Sequence, residues 1–338
     1  MQLIASVSWA LLVSFVLRLR VVSSAPGPSS LIIDTDVGSY FDDFMAIALV
    51  LKNDDFDVKL VVTCTDDTTA RARVVAKFLT LLGRSDIPIG IGVRNGNSTE
   101  HSLFGWGADF DLDKYGGCVY QDGVAAMATV LEQSAAEVEI LAIGPATNFP
   151  SLISRYPGAL NRAKVVLSGG SIYKGYYNTT PAVAEYNIAM CPLCARQLLA
   201  TAVSISMAPL DTTGVGSLTA DYTRQLLASV TADALSVGNS LVYYCSNHPY
   251  DGQHLQCEFN VSTPVFFDAV AALMTFRNGS AFLEYRELNI AIDDFGYTLI
   301  DAVSGVPVTV ALYWVGGDAV GLDKYMAFLA SALSSRVA

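Results

Sequence analysis

The sequence predicts an α/β fold: an open, mainly parallel, Rossmann-like sheet flanked by helices. Short apolar runs alternate with helix-periodic segments along most of the chain, the pattern of a parallel sheet covered on both faces. Apolar residues make up 52% of the 338 positions and charged residues only 15%, enough for a large core. The first apolar run ends in a crowded acidic turn that opens directly into a helical pattern, and open α/β sheets place their ligands at such strand ends.

Taken in order, residues 31–33 form a short apolar run suited to a buried parallel strand, expected over 30–34. Phe44, Met45, Ile47, Ala48 and Leu51 then follow helical spacing, giving a helix over 42–53. The same alternation gives strands at 58–63, 87–91, 138–143, 164–168 and 203–207. Helices are expected at 68–83, 122–134, 147–155, 191–201 and 219–230. Residues 94–118 and 240–262 read as long irregular loops, a class that often supplies lids and binding elements. No repeat or heptad interrupts this order, and residues 25–338 read as a single domain.

Residues 3–17 are apolar and free of charge, with small residues near Ser24; 1–24 therefore reads as a signal peptide. No Lys or Arg precedes this stretch, and Arg18 and Arg20 follow it, so a membrane-anchored protein is the alternative to a secreted one. Sequons at Asn97, Asn178, Asn260 and Asn278 agree with export. So do the six cysteines. Cys245 and Cys257 are the pair expected to bridge a loop, and Cys191-Pro-Leu-Cys194 reads as a local disulfide or two packed thiols. The net charge is −12, and loss of residues 1–24, which carry two Arg and no acid, takes it to −14. That balance excludes nucleic acid and, after leader cleavage, an anionic membrane as partners.

The acidic turn carries the chemistry. Asp34, Asp36, Asp42 and Asp43 fall within ten positions, with Gly38 between them. One or two would serve as helix caps. Four like charges in one turn call for a cation, and carboxylate oxygens suit a hard divalent ion such as Ca²⁺ or Mg²⁺. Further strand-end motifs recur downstream: Thr63-Cys64-Thr65-Asp66-Asp67, Gly144-Pro145-Ala146-Thr147-Asn148, Gly169-Gly170, Ala184-Glu185-Tyr186-Asn187 and Phe266-Phe267-Asp268. Each alone is more often a cap or a turn than a ligand. Their shared position at strand ends is what joins them into one site.

Together these motifs, in this order over about residues 30–275, resemble the inosine-uridine preferring nucleoside hydrolase family. The resemblance implies that family's fold and Ca²⁺-dependent hydrolysis of the N-glycosidic bond of ribonucleosides, releasing base and ribose. It implies Ca²⁺ held by Asp36, Asp43, the Ile143 carbonyl and Asp268, with Asp36 also the catalytic residue that takes a proton from water. Asp42, Asp67, Glu185, Asn187 and Asn178 would contact the ribose, and Asp34 and Asp211 would play supporting parts. Phe267 stands where one branch of the family has an acid-donating His. A purine-specific branch has an aromatic there, so purine nucleosides are slightly favoured among the ribonucleosides, with Trp106 of the 94–118 loop as the ring paired with Phe267. His248 and His254 are the histidines able to donate a proton on closure. The sequon at Asn178 and its role at the sugar exclude one another. A homodimer or homotetramer is compatible with this reading. The alternatives are a non-catalytic, Ca²⁺-dependent ribose- or nucleoside-binding relative, allowed by the missing His, and an acidic phosphatase-like enzyme, disfavoured because so acidic a pocket repels a phosphorylated substrate.

Overall fold

The computed structural model describes residues 27–229, 231–247 and 262–334. The leader, Cys257, Asn260, His248 and His254 lie outside the described residues. No helix among those described is long and apolar enough to cross a membrane.

Ten strands form one sheet in the order β4-β3-β2-β1-β5-β6-β7-β10-β8-β9. The first seven are β1 (Ser29–Thr35), β2 (Phe56–Thr63), β3 (Ile89–Gly90), β4 (Val119–Tyr120), β5 (Val138–Ala142), β6 (Ala163–Ser168) and β7 (Ser204–Ala208). All pair in parallel. β10 (Val306–Trp314) continues parallel to β7, whereas β8 (Leu283–Ile292) and β9 (Thr298–Ile300) close the far edge antiparallel. The mainly parallel α/β sheet expected from the sequence is therefore present, with its six expected strands.

The twelve α-helices among the described residues include all six expected spans. They are α1 (Asp42–Leu51), α2 (Thr68–Leu81), α3 (Phe104–Gly107), α4 (Gly123–Gln133), α5 (Phe149–Arg155), α6 (Tyr186–Ala189), α7 (Pro192–Leu199), α8 (Leu210–Thr213), α9 (Ala220–Ala228), α10 (Ala232–Asn247), α11 (Phe267–Thr275) and α12 (Asp318–Ser334). Residues 240–247, expected to be irregular, belong to α10. Val237, Leu241, Tyr244 and Cys245 lie buried along it at helical spacing, and this stripe outweighs the Ser/Asn/Tyr-rich composition. The 94–118 loop holds α3 and a single 3₁₀ turn at Leu112–Lys114.

Two cores cover the two faces of the sheet. Leu31 and Ile33 of β1 point to one, under α1, α2 and α11, while Ile32 points to the other, under α4, α5 and α7. Strand order reverses between β1, whose chain moves outward to β2, and β5, which starts the other half of the sheet. A crevice opens at the carboxyl ends of the strands at this switch point. Cys191 and Cys194 form a disulfide at the start of α7, with Cα atoms 5.2 Å apart. Cys245 is disulfide-bonded, and its expected partner, Cys257, lies outside the described residues.

Candidate active site

A cavity of about 580 Å³ fills that crevice. Asp36, Asp42, Asp43, Ile143, Glu185, Asn187, Phe267 and Asp268 all line it, brought from four separate segments of the chain. Each segment places its residue for a local reason. β1 ends at Thr35, and Gly38, with φ +112°, lets the chain turn back into α1 against the Phe104 ring. The N-cap of α1, Phe41, makes no side-chain cap bond, so Asp42 and Asp43 at the helix start are not used as caps. Gly144 lets the strand end after β5 approach closely: a Cβ there would lie 2.8 Å from the Asp36 amide. Ile143, the residue before Gly144, lines the cavity, and its carbonyl accepts from Asn187 Nδ2.

Carboxylate oxygens of Asp42, Asp43 and Asp268 lie within 4.8 Å of one another, and all three residues are buried. Two full charges about 4 Å apart at a protein-like dielectric repel by roughly 4 kcal/mol, so the three cannot all ionise without a cation. Burial first, and then the neighbouring carboxylates, push Asp43 and Asp268 well above the usual range and Asp42 up to about 7. The Thr35 hydroxyl donates to Asp43, and Ser168 hydrogen-bonds Asp268. An all-oxygen donor set of carboxylates plus one carbonyl fits a hard divalent ion. Asp36, expected beside Asp43 as a ligand, lines the same cavity but lies outside this tight triad. Its Oδ2 faces the Arg71 guanidinium at 4.0 Å, and Asp42 takes the third place.

The wall formed by Glu185 and Asn187 is held by main-chain groups. Glu185 accepts from the amides of Gly170 (3.0 Å), Asn187 (2.9 Å) and Ile188 (3.2 Å), yet burial still raises its carboxyl to about 7. Asn187 Nδ2 donates to the carbonyls of Ser168 (3.0 Å) and Ile143 (3.3 Å), which fixes its amide at the cavity. Asp211 accepts from the Ile172 and Tyr173 amides and anchors the loop that carries Glu185. Asp34 lies beneath the site. Burial raises it to about 7 while Asn148 and Cys64 hydrogen-bond it.

Three expected substrate contacts fall elsewhere. Asp67 does not line the cavity; its carboxylate caps α2 by accepting from the Ala70 amide at 3.0 Å. Asn178 is exposed and outside the cavity. Tyr177 and Asn178 both take positive φ (56° and 63°), and this turn sends Tyr177 inward and Asn178 out. Trp106 packs inside the core, edge-on to Phe44 at 5.3 Å with the Lys77 ammonium 5.0 Å over its ring, and does not meet Phe267. Tyr176, Tyr40 and Tyr177 surround Phe267 instead, at ring separations of 5.7, 5.9 and 6.5 Å. No histidine lines the cavity among the described residues. Sequence reasoning gave no role to Arg71, a fully buried guanidinium behind Asp36, or to His101, beside it.

A family model described as inosine-uridine preferring nucleoside hydrolase matches residues 31–314. The chain is 30% identical over 228 residues to the pyrimidine-specific ribonucleoside hydrolase RihA of Citrobacter koseri, a match covering 64% of this chain and 70% of that protein. The RihA of an Escherichia coli O7:K1 strain is 29% identical over 231 residues, covering 64% and 72%. Among solved structures, a plant nucleoside hydrolase, PpNRh1, superposes with a TM-score of 0.73 at 19% identity, over 91% of this chain and all of that one. A purine-preferring ribonucleoside hydrolase from Gardnerella vaginalis gives 0.70 at 20% identity, over 90% and 99%. These two likenesses concern the fold.

Proposed function

The chain belongs to the inosine-uridine preferring nucleoside hydrolase family, and from that premise we propose that it is a Ca²⁺-dependent ribonucleoside hydrolase of the cell exterior with a preference for purine nucleosides. Ribonucleosides and water are its substrates; free base and ribose are its products. The observation that carries this reading is the convergence of Asp42, Asp43 and Asp268 with the Ile143 carbonyl, Asp36 and Glu185 on one cavity at the switch point.

Asp42, Asp43, Asp268 and the Ile143 carbonyl would hold the cation, with Asp36 at its edge. When bound, such an ion supplies Lewis acidity that acidifies a water and fixes the sugar diol. The chain's own residues do the remainder. Asp36, buried and raised in basicity, takes the proton of the attacking water. Glu185 and Asn187, locked by their main-chain partners, orient the ribose, which holds the anomeric carbon in reacting geometry. As the C–N bond lengthens, the sugar gains oxocarbenium character, and the surrounding carboxylates stabilise that positive charge.

Phe267, Tyr40, Tyr176 and Tyr177 form the wall proposed for the base. Flat aromatic faces favour the larger purine. RihA is pyrimidine-specific by name, so the ratio of inosine to uridine turnover decides this point. Export is supported by the apolar leader, by the Cys191–Cys194 disulfide and by the exposure of Asn97, Asn178 and Asn278.

The test is direct. Purified protein is incubated with inosine, guanosine, adenosine, uridine and cytidine, with EDTA and after Ca²⁺ add-back, and released base and reducing sugar are measured. Hydrolysis that EDTA stops and Ca²⁺ restores is expected. No hydrolysis of any of the five with Ca²⁺ present overturns the reading.

A further inference from the structure

We infer that Arg71 is a positioning residue for this site, a built-in cation that fixes Asp36 from behind and ties the 94–104 segment to the acidic turn. Its role at the reaction rests on Asp36 acting on water, as proposed above.

Arg71 lies on α2, has no solvent exposure, and spends its donors on the site's frame. One terminal nitrogen donates to the carbonyls of Asp36 and of Val37 (3.1 Å), and Nε donates to that of Thr65 (3.0 Å). The other terminal nitrogen faces Asp36 Oδ2 at 4.0 Å and Asp66 Oδ2 at 3.6 Å. One planar fork therefore grips both the end of β1 and the end of β2. A lysine, with a single compact ammonium, cannot serve these directions at once.

The same guanidinium carries the loop. It lies 5.5 Å over the Phe104 ring, and Phe104 in turn packs against Gly38, whose carbonyl accepts from the Leu103 amide at 3.0 Å. His101 stacks edge-on to Phe104 at 4.8 Å and places Nε2 3.0 Å from Asp66 Oδ2. A carboxylate only accepts, so Nε2 carries the proton and donates to Asp66; its 3.4 Å approach to Arg71 is then a packing contact. Asp66 also accepts from the Ser98 amide at 3.2 Å. Loop, strand end and acidic turn thus share one buried charge. An isolated guanidinium would not be buried for packing alone, since removing it from water is costly unless such partners surround it.

Arg71→Lys and Arg71→Met in the full chain test this, with Ca²⁺ saturating and wild-type protein in parallel. With the nucleoside that wild type hydrolyses best, kcat is expected to fall at least ~100-fold in Arg71→Met and at least ~10-fold in Arg71→Lys. KM is expected to change less than threefold, because the sugar contacts of Glu185 and Asn187 are untouched. Hydrogen–deuterium exchange read over 36–43 and 94–104 is expected to rise together in Arg71→Lys and to stay flat over 123–133. If Arg71→Met does not fold, Arg71→Lys decides. Wild-type kcat in a folded Arg71→Lys, or exchange unchanged in both segments, overturns the inference. A wild type without turnover sinks the proposed function instead, and the exchange data then judge Arg71 by themselves.

Discussion

Asn148 Nδ2 donates to Asp34 Oδ2 at 3.0 Å, a buried hydrogen bond across the switch point between residues 114 positions apart. The same amide donates to the Thr63 carbonyl at 3.1 Å, and its Oδ1 accepts from the Val93 amide at 2.7 Å. One side chain thus joins the carboxyl ends of β1 and β2 to the start of the 94–118 loop. It also stabilises the carboxylate form of an acid that burial otherwise drives up.

Asn148→Leu keeps the volume and removes every one of these bonds. It leaves the Asp34 oxygen and the Val93 amide to bear their desolvation. A loss of about 2–4 kcal/mol in urea unfolding is expected, since each unsatisfied buried group costs about 1–3 kcal/mol. A change below 0.5 kcal/mol would show that water replaces the amide and that the bond is not structural.

The metal-free protein is expected to lose stability as pH rises from 5 to 7.5. Asp34, Asp42 and Glu185 are each raised by burial to about 7 from ordinary values of 3.8, 3.8 and 4.5. Between those values the folded state holds more protons than the unfolded one, so stability falls with rising pH across the window. His101, lowered from 6.5 by burial and then by Arg71, works in the opposite sense, one group against these three and the likewise raised Asp36, Asp43, Asp268, Glu139 and Asp211. Asp86 and Asp122, held low by Arg84 and Arg155, are ionised throughout. Thermal melts in EDTA should therefore show Tm falling across this range, and Ca²⁺ should flatten the slope by replacing the protons. A Tm that rises with pH in EDTA contradicts the assignment.

Asp268→Asn separates charge from shape at the triad. Without metal, removing one of three crowded carboxylates is expected to raise Tm, because burial and the neighbouring carboxylates already hold Asp268 well above the usual carboxylate range. The increase in Tm produced by Ca²⁺ in wild type should disappear, and nucleoside turnover should fall at least ~1000-fold. Wild-type Ca²⁺ stabilisation in this variant would move the ion away from Asp268.

The acidic turn was legible because its logic is local: an apolar run, four acids with a glycine, then helical spacing, all within twenty residues. The antiparallel edge was not. β8 shows a broken burial pattern, with Tyr285, Arg286 and Glu287 turned partly or fully to solvent, and its partner β10 follows it after β9. Arg71 was hidden for a related reason. An arginine in a helical pattern reads as a solvated face, whereas here the ends of β1 and β2 and the residues His101 and Phe104 of a distant loop all meet its guanidinium. Two backbone angles separate Asn178 from the role the resemblance implied, because positive φ at Tyr177 and Asn178 exchanges which side chain meets the cavity. Trp106 failed for want of distance: aromatic composition marks a loop, and packing against Phe44 decides which way its ring goes.

Phe267 provides the last test, of which rings contact the base. It sits in the cavity wall with Tyr176 edge-on at 5.7 Å and Tyr177 edge-on at 6.5 Å, whereas Trp106 belongs to the core. Aromatic pairs contribute about 0.5–1.5 kcal/mol beyond area burial, which corresponds to roughly two- to tenfold in kcat/KM per ring lost. Phe267→Ala and Tyr177→Ala are each expected to lower kcat/KM for inosine by about that factor and to leave uridine nearer to wild type, because the smaller pyrimidine offers less face to cover. Trp106→Ala should lower the midpoint of urea unfolding and leave the inosine-to-uridine ratio unchanged. A ratio that moves with Trp106 but not with Tyr177 would return the base to the 94–118 loop. A ratio that moves with neither Phe267 nor Tyr177 would mean that base preference is set by groups outside this aromatic wall.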